Sequence, residues 1–330
     1  MKLEYVKQLD IQRLGDTDEG LESGIAKESL PFIFELVSKK LYSNPIGSMI
    51  REITSNCFDS HVEAGTDEPV MISKSYHVEE GWSIEFKDVG TGMSPDLMRE
   101  IYMNWFSSTR RVSNDFLGAF GIGSKTPLSY ADLFYITTIH DGKQYEYIFH
   151  KGEKLPMLES LLGYDEPECA ECEEMIEEVN GEEEGSFEDH EIEESSTPKI
   201  VIPRVPSHIP TTEHNGTVIK VVMEQADLFK FEAELKTQLA YFDNVYFKNW
   251  GISNDYDIYE GEYFKYRSDI RTDTLIHICM GKVRYELSET MRRNMHADYR
   301  QLPIAVKFKV GELPITPSRE SLYILQRVLS

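Results

Sequence analysis

The stretch Arg51–Asp59 constrains this sequence most, because it places several polar groups on a helix that must also pack. Glu52, Asn56 and Asp59 are spaced four and three residues apart, which puts them on one helix face. The helix also carries apolar residues that predict packing against other elements: Ile46, Met49, Ile50 and Ile53. Two carboxylates and an amide beside such a surface are costly to bury without partners. The stretch therefore predicts either a half-buried helix with satisfied polar groups or a functional site.

One acidic block dominates the charge of the chain. The sequence of 330 residues carries a formal net charge of −24, and 17 Asp and Glu residues with no Lys or Arg lie between Glu159 and Pro198. Low hydrophobicity and unbalanced charge predict a disordered or loosely ordered insertion, 159–198. The rest of the sequence is only mildly acidic and shows no basic face, so direct nucleic acid binding is not expected.

The sequence predicts a cytoplasmic protein with no transmembrane segment. Its longest apolar run, 30–37, contains a Glu and is too short to span a bilayer, and the first residues do not read as a signal peptide. Four cysteines in a chain of this length indicate a reducing compartment rather than a disulfide framework. Cys169 and Cys172 form a single CxxC in the acidic block that also holds His190, and one such pair is only a weak sign of zinc.

Apolar periodicity and turn residues predict an α/β protein. Helices are predicted at 30–42, 46–64, 96–106 and 229–241, and Gly65 is expected to cap the second of these. Strands are predicted at 70–75, 82–87, 134–140, 144–150, 199–204, 215–222, 245–247, 274–285 and 302–310. The dipeptide Asp141-Gly142 predicts a tight hairpin between the third and fourth strands. The pattern changes near Glu224, so we predict one domain over 1–224 and a second over 225–330.

The second predicted strand runs directly into Asp88-Val89-Gly90-Thr91-Gly92-Met93. A carboxylate at the end of a strand, followed by two glycines, places a hydrogen-bond acceptor at the mouth of a pocket floored by bare backbone. Glycine is needed where backbone approaches a flat ligand or adopts positive φ. A DxGxG pattern alone is common, and the alternative interpretation is an acidic turn.

A glycine-rich segment follows the third predicted helix. Gly118, Gly121 and Gly123 are three and two residues apart and precede Ser124 and Lys125. Such spacing can present backbone N–H groups and a helix N-terminus to phosphates. A P-loop requires Lys directly after the last Gly, and Ser124 intervenes, so a P-loop is excluded.

Four patterns therefore occur in order: ExxxNxxD in a helix, DxGxG after a strand, the glycine-rich segment, and a strand that opens with Gly216-Thr217. In this order they resemble the GHKL ATPase superfamily, which includes type II topoisomerases, ninety-kilodalton heat-shock chaperones, MutL-type repair proteins and histidine kinases. Within it, the chain is most similar to the RIIA-like rapid-lysis proteins of T-even phages, over 30–322 apart from the acidic block. The resemblance implies a two-layer sandwich with helices over a mixed sheet, followed by a smaller α/β domain of ribosomal-protein-like fold.

The resemblance also implies a role for each motif residue. Glu52 matches the general base that orients and deprotonates the water attacking the γ-phosphate. Asn56 matches the Mg²⁺ ligand, since a hard cation prefers oxygen. Asp88 matches the carboxylate that accepts from the adenine amino group, assisted by the Thr217 hydroxyl.

Other residues are implied to line the same nucleotide site. Gly90 and Gly92 would let the adenine lie close to the backbone. The lid glycines Gly118, Gly121 and Gly123 would wrap the phosphates with their N–H groups. The remaining nucleotide contacts implied are Asp59, Met93, Ile122 and Ser124. Lys125 has no counterpart in the chaperone pattern, and its assignment to the phosphates is a separate prediction.

The segment 313–320 is similar to the loop of the chaperones' second domain whose arginine reaches the γ-phosphate. By this resemblance Arg319 is a catalytic cation delivered from the second domain. The alternative is a surface arginine paired with Glu312 or Glu320.

The function expected from the resemblance is Mg²⁺-dependent binding and hydrolysis of ATP that closes a lid and changes domain or subunit contacts. The alternative is an ATP-dependent binding or decoy protein that does not hydrolyse ATP and acts through its acidic insertion. The expected partners are ATP and ADP, a second copy of the chain on ATP binding, and an unidentified protein. The expected location is the cytoplasm, that of the host if the chain is phage-encoded.

Overall fold

The structure is a computed structural model that describes residues 34–36, 40–103, 122–152, 156–162, 208–253, 255–269, 276–300, 302–316 and 318–322. The predicted strand at 199–204 lies outside the described residues. So do most of the predicted helix at 30–42 and all of the acidic insertion after Leu162, including Cys169 and Cys172.

Helices are interspersed among runs of strands along the described chain. The helices are α1 (Pro45–Ala64), α2 (Pro95–Met103), α3 (Leu228–Gln238) and α4 (Glu289–Asn294), with 3₁₀ turns at Gly123–Ser129, Gln225–Asp227 and Ala297–Tyr299. The first strands are β1 (Val70–His77), β2 (Gly81–Lys87), β3 (Leu133–His140), β4 (Lys143–Lys151), β5 (Pro156–Ser160), β6 (Ile209–Pro210), β7 (Gly216–Met223) and β8 (Val245–Lys248). The later strands are β9 (Ile258–Glu260), β10 (Phe264–Arg267), β11 (His277–Met280), β12 (Val283–Glu286) and β13 (Ala305–Phe308).

Strands β1 to β8 form one mixed sheet. Its order is β5-β4-β3-β7-β2-β1-β8, with β6 paired to β4. The pair β1–β8 is parallel, whereas β1 and β2, β2 and β7, and β3 and β7 are antiparallel. Because β7 inserts between β2 and β3, the ends of β2 and β7 that carry Asp88 and Thr217 become neighbours, and the Asp88 N–H donates to the Thr217 carbonyl at 2.9 Å.

The core lies between this sheet and the helices. Alternate residues of the central strands are fully buried on one face, as period-two patterning requires. Helix α1 contributes apolar side chains to the same core and packs against α3 and the 3₁₀ turn Gly123–Ser129. The buried residues of this layer include Met49, Ile50, Ile72, Ile84, Phe86, Phe134, Ile136 and Val221. The predicted α/β class, with helices over a mixed sheet, is confirmed.

A second sheet follows, with the order β12-β11-β13-β10-β9. The pair β11–β13 is parallel and the other pairs are antiparallel. Strand β8 comes after residue 224 in the chain and yet pairs with β1 of the first sheet. The division into domains at 1–224 and 225–330, and the ribosomal-protein-like fold of the second, remain predictions.

Local signals set the ends of α1 and the β3–β4 hairpin. The Asn44 side chain accepts from the Gly47 N–H at 3.0 Å, and Pro45 is the first helical residue. Gly65 ends α1 at a φ of 66°, as predicted. In the hairpin, Asp141 and Gly142 both adopt positive φ, at 50° and 72°. Among the described residues, no helix combines the length and apolar character needed to cross a bilayer.

Gly65→Ala should lower the free energy of unfolding by about 1 kcal/mol, because a Cβ is strained in the left-handed region. No heavy atom lies within 4 Å of the site that a Cβ would occupy, so strain alone sets the cost. Gly65→Asn is the matched control and should cost less, since Asn tolerates this conformation. Urea denaturation measures both variants. Equal midpoints for Ala and Asn would contradict the assignment.

Candidate functional site

The polar face of α1 is buried, as its spacing suggested. Glu52 is 4% exposed and Asp59 1% exposed, while Asn56 is half-buried. Among the residues that the structure describes, none hydrogen-bonds to the Asn56 amide. This face of α1 thus holds two carboxylates in the interior and one accessible amide oxygen between them.

Glu52 forms a buried ion pair with Arg319. The Arg319 Nη1 donates to Glu52 Oε2 at 2.7 Å, and both side chains are less than a tenth exposed. Arg51 lies on the other oxygen, with Nε 3.4 Å from Glu52 Oε1. Burial alone would lower the pKa of the Arg319 guanidinium, but the charges of Glu52 and Asp59 raise it above its usual value. Arg319 is therefore not a surface arginine paired with Glu312 or Glu320, and that alternative is wrong.

Three consecutive residues attach the loop containing Arg319 to the start of α1. The Ser318 carbonyl accepts from Arg51 Nη2 at 3.1 Å. Arg319 has a φ of 56° and bonds to Glu52. The Glu320 carboxylate accepts four hydrogen bonds, from Ser43 N at 3.0 Å, Ser43 Oγ at 3.0 Å, Asn44 N at 2.7 Å and Ser48 Oγ at 3.0 Å. Burial opposes ionisation of Glu320, yet these hydrogen bonds lower its pKa below the usual value. The loop is thus fixed on both sides of Arg319.

Asp88 lies at the end of β2 and is 5% exposed. Its Oδ1 accepts from the Gly90 N–H at 2.9 Å. The Thr217 backbone and the Ser60 and Cys57 side chains also hydrogen-bond to the carboxylate. Burial raises the pKa of Asp88 to about 6, although all four hydrogen bonds act in the opposite direction. The carboxylate is therefore ionised at neutral pH and close to titration in mild acid.

Closely packed backbone lies beside Asp88. Gly92 has a φ of 65°, and a Cβ on it would lie 1.8 Å from the Ile139 carbonyl oxygen. Gly216 is equally confined, since its Cβ would lie 2.3 Å from the Asp88 carbonyl oxygen. A larger residue at either position would push the loop away from the sheet, so close packing of backbone explains these glycines.

Thr138 on β3 connects the parts of this region. Its hydroxyl accepts from the Met93 N–H at 2.9 Å and lies 3.2 Å from the Thr217 hydroxyl. Thr138 is fully buried, and the sequence analysis did not identify it. A threonine in the middle of an alternating strand gives no sequence signal of such a role.

The end of the glycine-rich segment lies against Glu52. A Cβ on Gly123 would be 2.8 Å from Glu52 Oε2, so glycine allows the 3₁₀ turn to reach the carboxylate. Ile122 precedes this turn and is 6% exposed. Lys125 is 3% exposed, and its Nζ donates to the Ile101 carbonyl at 2.5 Å near the end of α2. Burial lowers the pKa of this amine to about 8.

The structure thus brings the predicted residues together in two groups. Glu52, Gly123 and Arg319 meet at the middle of α1, and Asp88 meets Thr217 and the 90–93 loop near its end. Gly118 and Gly121 lie outside the described residues. Sequence reasoning missed Arg51, Glu320, Ser60, Cys57 and Thr138, because their partners are distant in sequence or show no motif.

The polar groups of this site suit a nucleotide better than a cluster of metal ligands. Within the described ranges, no three His, Cys, Asp or Glu side chains come together as a metal site. An acceptor at Asp88, a hydroxyl at Thr217 and a guanidinium at Arg319 match an amino group at one end of a ligand and an anion at the other. The half-buried Asn56 amide between them is a suitable oxygen ligand for a magnesium ion that accompanies phosphates.

A double-mutant cycle should reveal strong coupling between Glu52 and Arg319. Glu52→Gln or Arg319→Gln alone should each lower stability by about 3 kcal/mol, because each leaves a buried charge without its main partner. The double variant should cost less than the sum of the two, with a coupling of about 1–3 kcal/mol in urea denaturation. The exposed pair Arg293–Glu289 is the matched control and should couple by less than about 0.5 kcal/mol. Additive losses at Glu52 and Arg319 would contradict the ion pair.

Comparison with known proteins covers part of this chain. Residues 44–159 match the family described as histidine kinase-, DNA gyrase B- and HSP90-like ATPase, a range that holds Glu52 and Asp88 but not Thr217 or Arg319. No curated protein matches the sequence. Among solved structures, the ATPase region of Saccharomyces cerevisiae topoisomerase II is similar at 12% identity and a TM-score of 0.47, over 83% of this chain and 76% of that chain. The family match supports the resemblance of residues 44–159 to the GHKL ATPases.

Proposed function

We propose that this protein binds ATP with Mg²⁺ and hydrolyses it slowly. The family match over residues 44–159 supports nucleotide binding. The residues that would perform hydrolysis lie partly beyond that range, and their roles are argued from geometry and from the motif resemblance. Hydrolysis in this scheme changes the contacts of the loop containing Arg319.

The observation that carries this proposal is the ion pair between Glu52 and Arg319. The motif resemblance assigns both residues to one reaction, Glu52 as the base that acts on the attacking water and Arg319 as the cation that binds the phosphate. They are 267 positions apart in the chain and lie 2.7 Å from each other. A water attacking the γ-phosphate needs a positioned carboxylate, and the charge of the transferring group needs a cation. Both groups are present at one point of the α1 surface.

Asp88 serves the adenine end of the site. Its carboxylate accepts the hydrogen bond of the adenine amino group, and the Thr217 hydroxyl assists at the same edge. The backbone around Gly90, Gly92 and Met93 supplies the surface on which the base rests. A buried acceptor discriminates strongly between ligands that carry a matching hydrogen-bond donor and ligands that do not, because the latter leave the acceptor unpaired.

The phosphate end involves the polar face of α1, at the half-buried Asn56, and the 3₁₀ turn. Asn56 would hold the magnesium ion, which neutralises phosphate charge when bound. Asp59 lies on the same face, and Ile122, Ser124 and Lys125 belong to the segment that follows the lid glycines Gly118 and Gly121. We assign Lys125 to phosphate binding as well, which requires its Nζ to leave the Ile101 carbonyl.

A second candidate is an ATP-dependent switch without turnover. Arg319 and Arg51 occupy both oxygens of Glu52, and a carboxylate held in this way is a poor base. If the ion pair persists with ATP bound, the protein binds nucleotide and does not hydrolyse it. Release of inorganic phosphate by the purified chain, with and without Mg²⁺, distinguishes the two functions.

Four finer assignments rest on the sequence alone, either on the family resemblance or on composition and patterning. We propose a RIIA-like protein within the GHKL group, a cytoplasmic location, and a homodimer formed on ATP binding. We also propose that residues 225–330 act as a separate α/β domain that supplies Arg319. A truncated chain ending near Glu224 tests the last assignment. A separate domain predicts that this chain still folds and binds ATP but loses hydrolysis, whereas loss of folding would show that α3 and β8 belong to the first domain.

Asp88→Asn should abolish detectable ATP binding in calorimetry. The amide offers a donor toward the adenine amino group and leaves buried groups mispaired, a loss of about 1–3 kcal/mol or more. In the wild type, affinity should fall as the pH drops through about 6, because protonation removes the acceptor. In the ligand-free protein, stability depends on pH in the opposite direction. Because folding raises the pKa of Asp88, this residue adds stability that is complete when the pH is below its pKa in the unfolded chain and that is lost as the pH rises through about 6. Unchanged affinity in Asp88→Asn would contradict the site.

Glu52→Gln should lower turnover by about 10²–10⁴-fold while ATP still binds, since a positioned base contributes about this much. Arg319→Gln should lower it by about 10³-fold or more, because the transferring group loses its cation. Phosphate release and calorimetry measure the two effects separately. Arg293→Gln, an exposed arginine on α4, is the control and should leave turnover unchanged. Wild-type rates of phosphate release in both site variants would show that Glu52 and Arg319 do not carry out the hydrolysis.

A further inference from the structure

His61 lies in the last turns of α1 and is 4% exposed, although no motif includes it. Its Nε2 accepts a hydrogen bond from the Val89 N–H at 3.0 Å. On its other side the ring hydrogen-bonds to the Glu68 backbone. The imidazole therefore bridges the end of α1 and the loop that follows Asp88.

These contacts fix the protonation state of the ring. Nε2 can accept from an N–H group only when it carries no proton, so the proton is on Nδ1, which donates to the Glu68 carbonyl. Burial lowers the pKa of His61, although the backbone and the charge of Glu68 oppose that shift. The ring is thus neutral at pH 7, with one donor and one acceptor in use.

The bond from Val89 belongs to a set that holds the whole loop. Three successive N–H groups each bind a side chain: Val89 binds His61, Gly90 binds Asp88 at 2.9 Å, and Thr91 binds the Ser60 hydroxyl at 3.2 Å. Two of these acceptors, Ser60 and His61, are neighbours on α1. The same helix that carries Glu52 therefore holds the backbone on both sides of Gly90, whose N–H binds the Asp88 carboxylate.

We propose that His61 is a positioning residue for adenine recognition, which holds Asp88 in place through the Val89 N–H. The inference rests on the proposed adenine-binding role of Asp88. Without this acceptor the Val89 N–H is half-buried and unpaired, and the loop relieves that cost by moving. The carboxylate then leaves the position from which it meets the adenine amino group.

Protonation of His61 should have the same effect as removing it. A charged ring presents N–H groups on both sides, and Nε2 then faces the Val89 N–H donor against donor. Among the described residues, the titratable group that acts on the ring directly is Glu68, in the connection to β1. Lys282 is one step further away, over the ring of Phe58 at 4.8 Å, and Phe58 lies 6.4 Å from the His61 ring. Two groups, Asp88 and His61, should therefore take up protons as ATP affinity falls in mild acid.

Calorimetric titration of the whole chain with ATP and Mg²⁺ between pH 5 and pH 8 tests the proposal. His61→Leu should weaken binding about 10-fold at pH 7.5, because the Val89 N–H loses its acceptor. His61→Gln should restore most of that loss, since its side-chain oxygen can accept without titrating. In mild acid, the slope of log Kd plotted against pH should be smaller in magnitude by one in His61→Gln than in the wild type, because one proton fewer is taken up as binding is lost. Ionisation of ATP itself is common to all variants and cancels in the comparison.

His77→Gln is the matched control, because His77 is an exposed histidine at the end of β1. It should reproduce the wild-type curve. Long-range ¹H–¹⁵N correlation spectra, with His61→Gln used for assignment, should show His61 neutral with its proton on Nδ1 at pH 7. Equal affinity of His61→Leu and wild type, equal acid slopes, or a proton on Nε2 would overturn the proposal. Failure of the wild type to bind ATP at pH 7.5 would instead overturn the proposed function, and the spectra would still report on the Val89 contact.

Discussion

The structure depends on one electrostatic constraint, which is that Glu52 and Arg319 are both buried and must satisfy each other. An isolated carboxylate or guanidinium in such a place costs several kcal/mol, so neither could be there alone. Their contact requires the loop of residues 318–322 to lie on the start of α1. Ser318 and Glu320 bind at the start of α1 on either side of Arg319, and they hold the backbone of the loop against the helix.

Helix α1 is the element through which the ends of the candidate site communicate. Its start binds Glu320, its middle carries Glu52, and its end carries Ser60 and His61, which hold the loop after Asp88. A 20-residue helix is rigid on this scale, so a movement at one end is transmitted to the other rather than absorbed. The proposed adenine end and the proposed phosphate end would therefore be fixed relative to each other by one element.

The features that could be predicted from the sequence are those that residues close together in the chain determine. Asn44, Pro45 and Gly65 set the limits of α1, and Asp141-Gly142 made the β3–β4 turn predictable, because each signal acts within a few residues. The candidate residues Glu52, Asp88 and Arg319 were found through spacing and family resemblance. The network around them was not predictable, since it consists of contacts across 28 to 277 positions, such as Val89 with His61 and Ser43 with Glu320. Pairing of β8 with β1 was missed for the same reason, because alternation identifies a strand and says nothing about its neighbour.

The ion pair also sets a condition on any reaction at this site. While Arg319 is bound to Glu52, its guanidinium occupies Glu52 Oε2, so that oxygen is not available to accept a proton from water. A phosphate that draws Arg319 away frees this oxygen at the moment when a base is needed. The loop that carries Arg319 is also bound to α1 through Glu320, so the guanidinium can change partner while its backbone stays attached. Activation of the base and engagement of the phosphate would thus be one event, and its free-energy cost, the loss of a 2.7 Å buried ion pair, would keep turnover slow.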